Sequence, residues 1–482
     1  MTHLPPTDNF QAGGDDGEAD AQSAGDEMLG GQRAFRPGTA RAAFSHPTFR
    51  TVYLGAFASN TGTWMQNVVL GAIAYDLTHS GLFVGLVIFA QLGPLLLLSI
   101  VGGSLADTVD RKKLLMILTL EQATFSAVLG LVVINHHPSK VLLLGVTLMI
   151  GIGNALYAPV FSAVLPVLVP RRDMAGAISL NSAQMNGSRV VGPVIGSFLY
   201  ARYGPSWVFA LNALSYAAVI VALTRVTLPA PPATRSQGLH RVLEGVRAAR
   251  TDRVVKRCLV VIFVFSLFCL PFITQMPKIA GDNLGIAPKS TAYGVLYAAF
   301  GLGAVLGALS IGTVFAHASK PRLVRLGLVA FAMFLAMFGL LRSAGPAYPV
   351  IFGLGLVYFA VITSLSTVLQ QDLDDRVRGK VMALWIMGFG GTVPFGGLGG
   401  GWLIEHTSIT PVLIGGAVVA LGLAWYADVR RVQPSESTKR SASRSKPTTR
   451  LAFTSTASPS PSEPRISIAS SIESAASGPS AP

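Results

Sequence analysis

The sequence predicts an all-α membrane protein with twelve transmembrane helices in two pseudo-symmetric bundles of six. The 482-residue chain is 51% hydrophobic and only 12% charged, whereas soluble domains carry about 25% charged residues. Twelve apolar runs are each long enough to cross a bilayer. Glycines recur at matching positions in the two halves of the chain, which indicates an internal duplication.

The twelve runs fall into two groups of six, so we expect an N-terminal bundle over residues 45–227 and a C-terminal bundle over 257–431. Between them, residues 228–256 hold six Lys and Arg residues and are predicted to form a cytoplasmic linker. Its middle part is amphipathic, which favours a helix on the membrane surface. The runs lie at about 50–76, 82–106, 113–134, 140–168, 176–202, 206–227, 257–279, 291–315, 323–342, 346–370, 380–404 and 410–428.

The duplication is clearest in the fifth and eleventh runs. Residues 164–203 align without gaps with residues 368–407. In this alignment three glycines and a leucine occur at the same positions of both segments. Two glycines of the second run match two glycines of the eighth in the same way. Parallel repeats of six helices around a central cavity are the arrangement of carriers that rock about a site near the membrane midplane.

The cations predict the orientation of the chain. With both termini in the cytoplasm, 31 of the 37 Lys and Arg residues fall on the cytoplasmic side. Cytoplasmic loops of membrane proteins carry an excess of these cations, so this orientation is the expected one. The net charge of +14 is therefore explained by short loops, and no nucleic-acid partner is expected. The tails 1–44 and 432–482 are predicted to be disordered. We expect a multi-pass protein of the cell inner (plasma) membrane, in contact with membrane lipid.

The loop between the second and third runs carries the most informative motif. Its residues 103–113 read Gly-Ser-Leu-Ala-Asp-Thr-Val-Asp-Arg-Lys-Lys, with small residues for helix contact and a carboxylate followed by cations. This motif resembles the loop signature of the major facilitator superfamily. The resemblance implies the major facilitator fold and a gating role for Gly103, Asp107, Arg111 and Lys112. Loop solvation and orientation alone are the simpler interpretation.

The fifth run carries a second motif, Gly-Ser-Arg-Val-Val-Gly-Pro-Val-Ile-Gly at residues 187–196. It resembles, in part, the Gly-Pro motif of drug:proton antiporters. Gly192, Pro193 and Gly196 are therefore predicted to form a hinge or a close helix contact, since small residues let helices approach and proline frees a carbonyl. Ordinary small-residue packing is the alternative.

Further stretches resemble the macrolide-efflux and enterobactin-exporter-like branch of the superfamily. They are Phe49-Arg50, residues 63–66, residues 165–170 and Asn181 followed by residues 189–193. Many members have an aspartate before the tryptophan of the first helix, where this chain has Thr63. Any proton role of that carboxylate is therefore not carried over.

Polar residues inside the runs are the candidates for a substrate or proton pathway, because charges within a membrane are costly and often functional. Glu121 is predicted to be a proton site or an ion-pair partner of Arg189, and Arg189 to hold an anionic group or a proton partner. Structural roles for both stay open. The remaining candidates lie on the first and fifth helices: Asn60, Thr63, Gln66, Asn67 and Asn186.

These features predict a monomeric secondary active transporter that exports an amphipathic small molecule such as a drug, a macrolide-like compound or a siderophore by alternating access. Protons are the expected coupling ion. A lysophospholipid carrier of the same fold and a membrane receptor or scaffold without transport activity are the alternatives. The chain has no phosphate-binding loop and no metal-ligand cluster, so neither an enzyme nor a cofactor or metal is expected.

Overall fold

The fold is all-helical. The computed structural model describes residues 35–134, 138–226, 245–247, 250–371, 373 and 375–427. No strand occurs in these ranges, and they lie within one compact unit that ends at Arg430. Outside the described residues lie 1–34 of the predicted N-terminal tail, residue 227 of the first predicted bundle, residues 228–244 and 248–249 of the linker, residues 428–431 of the second bundle and the whole predicted C-terminal tail.

Twelve long helical segments, here α1 to α12, follow one another along the chain. In the first half they are α1 (Pro47–Thr78), α2 (Gly81–Leu92 and Pro94–Thr108), α3 (Arg111–Val132), α4 (Lys140–Val164), α5 (Met174–Tyr203) and α6 (Pro205–Thr224). In the second half they are α7 (Arg253–Phe268, continuing irregularly to Asn283), α8 (Thr291–Gly312), α9 (Lys320–Leu340), α10 (Ala344–Gln371), α11 (Asp375–Ile386, then a π-turn and Val393–His406) and α12 (Ile409–Tyr426).

The helix boundaries follow from ordinary capping residues. Ser80 and Ser290 accept hydrogen bonds at the starts of α2 and α8, and Asp110 does so at the start of α3. Proline occupies the first turn of α1 and α6, where its missing N–H has no partner to lose. Ten segments are long and apolar enough to cross a membrane by length and composition among the described residues. The two others are α1 and α5, which carry most of the polar candidate residues. The predicted twelve-helix membrane fold is confirmed.

A short helix before α1 differs from the prediction for the N-terminal tail. The sequence places residues up to 44 in a disordered tail, but Ala40–Ser45 form a helix. Thr39 caps this amino-terminal helix by accepting a hydrogen bond from the amide of Ala42. The helix packs on the start of α5, so tertiary contact orders a segment whose composition alone does not require order.

The glycine repeat is visible as equivalent contacts between helices. A Cβ atom at Gly192 of α5 would lie 2.8 Å from the Thr61 carbonyl oxygen of α1, and one at Gly396 of α11 would meet the Leu267 carbonyl oxygen of α7. Between the halves, Gly85 of α2 lies in close contact with α11. Gly294 of α8 lies in the equivalent close contact with α5. The contacts that join the halves thus repeat under the pseudo-symmetry that the sequence predicts.

Candidate functional site

The two halves close against each other at one end of the helix bundle. We call the end that carries the start of α1 and the end of α12 the terminal face, and the other end the opposite face. At the opposite face, the Gln275 side-chain amide of α7 donates hydrogen bonds to the carbonyl oxygens of Gly81 and Gly397, each at 3.0 Å. Glu405 of α11 accepts from the Ser80 hydroxyl and, at 3.2 Å, from the Leu82 amide. The start of α2 is thereby held to α7 and α11.

A second set of polar contacts joins α1 to α7 at the same face. The Tyr75 hydroxyl donates to Asp282, and the Lys278 ammonium lies 2.8 Å from the other oxygen of that carboxylate. Lys278 also donates to the carbonyl of His79, at 2.8 Å. His79 ends α1 with a φ of 53°, in the left-handed region that non-glycine residues seldom occupy. We call Tyr75, His79, Lys278, Asp282 and Glu405 the opposite-face latch.

Between the opposite face and the middle of α5, two glycines of α8 lie in close contact with α5. A Cβ atom at Gly294 would meet Ser197, and one at Gly301 would lie 3.2 Å from the Arg189 carbonyl oxygen. The same side of α5 continues, at helical spacing, to Asn186 and Ser182. Ser182 is exposed and Asn186 half-buried. Because polar contacts close the opposite face, we interpret the space beside Ser182 and Asn186 as a vestibule between the halves that opens at the terminal face.

Arg189 lies at the inner end of this vestibule. Its guanidinium carbon is 5.4 Å from the centre of the Trp64 ring of α1 and 5.3 Å from that of Phe359 of α10. Its Nε is buried and has no hydrogen-bond partner. Glu121 does not pair with it among the described residues. Arg189 is thus a cation held by aromatic rings from both halves, without a carboxylate.

Glu121 lies elsewhere, against a glycine of the neighbouring helix. Its Oε2 is buried without a hydrogen-bond partner, although the residue as a whole is half-buried. A Cβ atom at Gly153 of α4 would overlap this oxygen, so the carboxylate occupies space that only glycine leaves free. A buried oxygen with no donor favours a protonated carboxyl group.

The four polar candidates of α1 lie in different surroundings. Gln66 is fully buried and accepts hydrogen bonds from Ser126, at 2.5 Å, and from Asn212, at 2.9 Å. The structure therefore places Gln66 in a closed network of α1, α3 and α6 rather than on an open pathway. Thr63 contacts the Tyr216 hydroxyl at 3.2 Å. Asn67 accepts from Gln91 at 2.5 Å, and Asn60 is half-buried.

The glycine motif of α5 forms a close contact with α1. The helix runs unbroken from Met174 to Tyr203, and Pro193 is buried within it. A Cβ atom at Gly192 would lie 2.6 Å from that of Trp64, and one at Gly196 would lie 2.8 Å from the Cα of Met65. These glycines let α1 and α5 approach, which also brings the Trp64 ring to Arg189.

In the loop motif, the cations bind helix ends. The Arg111 Nε donates to the Ala106 carbonyl at 2.9 Å, and Lys112 donates to the Val226 carbonyl after α6 at 2.8 Å. The prediction that Gly103 provides the close helix contact is wrong, because a Cβ atom there has nothing within 4 Å. Gly102 provides it against α4, since adjacent residues of a helix point about 100° apart. The Asp107 side chain lies outside the described part of the chain.

The second half repeats this arrangement 209 positions later. Lys320 follows α8 as Arg111 follows α2, and it donates to the Phe315 carbonyl at 2.5 Å, as Arg111 does to Ala106. Arg325 donates to Ala424 at the end of α12, much as Lys112 reaches the end of α6. Cations that satisfy the free carbonyls of helix ends also complement the helix dipoles.

The amino-terminal helix is held by Asp173, which sequence reasoning did not select. One Asp173 oxygen lies 2.8 Å from the Nε2 atom of His46, and the other accepts from the Gly38 amide at 3.0 Å. Desolvation by itself would raise the pKa of Asp173. The His46 and Gly38 hydrogen bonds, with the nearby Arg172 charge, outweigh that effect and hold the pKa below its ordinary value.

A shallow pocket of about 430 Å³ lies where α10 ends and α11 begins. It is lined by the side chains of Thr367, Gln370, Gln371 and Arg378. Its amides and hydroxyls are suited to hydrogen bonding at the terminal end of the second half. No group of His, Cys, Asp and Glu side chains suited to a metal ion occurs among the described residues.

Comparison with known proteins identifies the family. The MFS_3 family model, described as "Transmembrane secretion effector", matches residues 38–461. The chain belongs to this major facilitator family. Enterobactin exporter EntS of Shigella boydii serotype 4 (strain Sb227) is 29% identical over 352 residues, covering 71% of this chain and 81% of the relative. EntS of Escherichia coli O139:H28 has the same identity and coverage.

Solved structures agree with the major facilitator fold. A variant of the nucleoside transporter NupG superposes with a TM-score of 0.65 at 14% identity, covering 80% of this chain and all of NupG. A bacterial homologue of the human lysosomal transporter Spinster gives 0.57 at 16% identity, covering 80% and 94% of the two chains. This member of the family is a multi-pass membrane protein, a secondary transporter that exports small molecules, and not an enzyme.

Proposed function

We propose that this protein exports an amphipathic small molecule, such as a siderophore or a drug, across the inner membrane in exchange for protons. Both termini face the cytoplasm, so the open terminal face admits substrate from the cell interior. The vestibule carries the proposal: it is open at the terminal face, lined in part by Ser182 and Asn186, and ends at Arg189. The relatives named enterobactin exporters support export.

Alternating access requires that the opposite-face latch opens while the terminal face closes. The latch consists of a few polar contacts at helix ends, which are individually weak in partly exposed positions. The proposal assigns the reverse closure to the loop motif at the terminal face, with Asp107, Arg111 and Lys112. Alternating access needs two conformations of similar free energy. Weak contacts that break at one face while similar contacts form at the other face meet that need.

Glu121 is the proposed proton site. It lies near the middle of α3, about ten residues or 15 Å into the helix, and its Oε2 has no donor. A carboxyl group that is neutral when buried and charged when hydrated binds and releases a proton as access alternates. Tyr216, which bonds Thr63, lies on the same side of the N-terminal half.

The test is proton movement in proteoliposomes that contain a pH-sensitive dye, after addition of lipophilic cations, macrolides and siderophores. Wild-type protein and the Glu121→Gln and Asp107→Asn variants are compared. Substrate-dependent proton movement that is lost in Glu121→Gln, while substrate binding persists, supports the proposal. Transport without proton movement contradicts proton coupling, and labelled lysophospholipid that moves without a proton gradient favours a lipid carrier.

A further inference from the structure

Within the part of the chain that the structure describes, no carboxylate pairs with the guanidinium of Arg189. It projects from α5 between Trp64 of α1 and Phe359 of α10, with ring centres at 5.4 and 5.3 Å. The described residues offer it neither an ion pair nor a hydrogen bond, and its Nε is buried. A cation at this depth normally pairs with an acidic residue or with carbonyls, because isolated charge in a membrane is costly.

The helices around Arg189 leave no other source of negative charge. The sequences of α5, α8 and α10 contain no Asp or Glu. On α1 the nearest acid, Asp76, lies twelve residues beyond Trp64, about 18 Å along the helix, and it accepts from Tyr200 at 2.9 Å. No carboxylate of these four helices therefore lies near the Arg189 guanidinium, which leaves a bound ligand as a source of negative charge.

We infer that Arg189, Trp64 and Phe359 form the binding site for an organic anion that carries a flat aromatic group. The planar guanidinium suits a carboxylate through two parallel hydrogen bonds. The Trp64 and Phe359 rings, which face the guanidinium, offer surfaces on which an aromatic ring of the ligand packs beside it. This inference rests on the proposed export function and specifies the substrate class of the same vestibule.

The position of the site also links binding to the conformational change. Trp64 belongs to the first half and Phe359 to the second, and the Arg189 carbonyl oxygen would lie 3.2 Å from a Cβ atom at Gly301 of α8 in the second half. An anion on Arg189 replaces part of the cation–π attraction to the two rings. Amphipathic cations, in contrast, meet a like charge at the inner end of the vestibule and are disfavoured.

The test is equilibrium binding of three tritiated probes of matched shape to the purified full-length protein. The probes are 2-naphthoate, 2-naphthylmethanol and 2-naphthylmethylammonium. In wild type we expect naphthoate to bind at least tenfold more tightly than the cation. Arg189→Gln should lose this preference without weakening binding of the neutral probe. Arg202→Gln is the matched control, since Arg202 lies over Tyr203 at 5.5 Å, at the opposite-face end of α5.

Two further variants keep the test decisive if Arg189→Gln does not fold. Arg189→Lys retains the charge but not the planar donors, and Phe359→Leu removes one ring; each should weaken naphthoate at least threefold. Equal binding of anion and cation in wild type, or unchanged naphthoate binding in the Arg189 variants, would overturn the inference. Proteoliposome export that continues without anion preference would contradict only this inference, whereas no export of any probe or siderophore would contradict the proposed function.

Discussion

Gly85 of α2 and Gly397 of α11 bring the two halves into backbone contact. A Cβ atom at Gly85 would lie 2.8 Å from the Gly397 carbonyl oxygen and 2.9 Å from the Cα of Leu398. Because both neighbours are backbone atoms, neither can rotate away as a side chain would. The closed opposite face therefore depends on the absence of a side chain at this position.

Gly85→Ala is expected to disfavour the closed opposite face. The added methyl group overlaps backbone, at a cost of about 1–3 kcal/mol, which the opened conformation avoids. The measurement is the distance between spin labels on exposed Ser139 and Ser343, replaced by cysteine after the buried Cys258 and Cys269 are changed to alanine.

A longer label distance in Gly85→Ala supports this account of the contact. Gly103→Ala is the control, since a Cβ atom at Gly103 has open space around it. The same distance distribution in Gly85→Ala and wild type would show that the contact does not limit closure.

Asp282→Asn is expected to weaken the opposite-face latch. The substitution removes the charge that Lys278 approaches at 2.8 Å and weakens the bond from Tyr75. Partly exposed pairs of this kind contribute about 1 kcal/mol, so the population with an open opposite face should rise roughly fivefold. The same label pair reports it. Lys140→Gln, which changes an exposed charge at the same face, should leave the distances unchanged, and an equal effect there would contradict a specific role for Asp282.

Asp173→Asn is expected to loosen the amino-terminal helix in a pH-dependent way. The pKa of Asp173 lies below its ordinary value of 3.8 in the folded protein, so its ionised form stabilises the fold above that pH. This contribution decreases as the pH falls through the lowered pKa, because the unfolded chain binds the proton more readily. At pH 7 the variant should lose about 1–2 kcal/mol.

Thermal unfolding of wild type and Asp173→Asn between pH 7 and pH 3 measures the effect. The difference between the two proteins should shrink as the pH falls below 3.8. Asp110→Asn is the control, since asparagine caps a helix about as well as aspartate. A difference that stays constant with pH would mean that the Asp173 charge does not contribute.

Gln66→Leu is expected to destabilise the first half. It leaves Ser126 and Asn212 without the acceptor that they share and should cost about 1–3 kcal/mol. Thermal unfolding in detergent compares it with Thr124→Val, which removes an exposed hydroxyl that bonds only its own helix at Leu120. A loss of transport without a loss of stability would instead place Gln66 on the substrate pathway.

Several features of the site could not be predicted from the sequence, for physical reasons. Asp282 and Glu405 stand at helix ends, where charged residues are common, and nothing local distinguishes a latch from a solvated loop. Asp173 likewise follows two arginines in a loop. Each also has a partner more than one hundred positions away in the chain, and only the packing of helices brings those partners together: His46, Tyr75 and Ser80.

In two cases the sequence also did not indicate on which side of its helix a residue lies. Gln66 and Asn67 are neighbours, yet one is enclosed among α1, α3 and α6 and the other reaches α2. Gly102 rather than Gly103 contacts α4. In a transmembrane helix with apolar residues all round, periodicity does not indicate which side faces another helix and which faces lipid.

The sequence by itself determined the twelve helices, the internal repeat and the concentration of cations at one face, because the length of apolar runs and the distribution of charge are local properties. The tertiary structure alone decided which face is closed, which cations bind helix ends, and that Arg189 meets two aromatic rings rather than Glu121. These relationships depend on how helices from the two halves pack, and packing is set by the shapes of many side chains together.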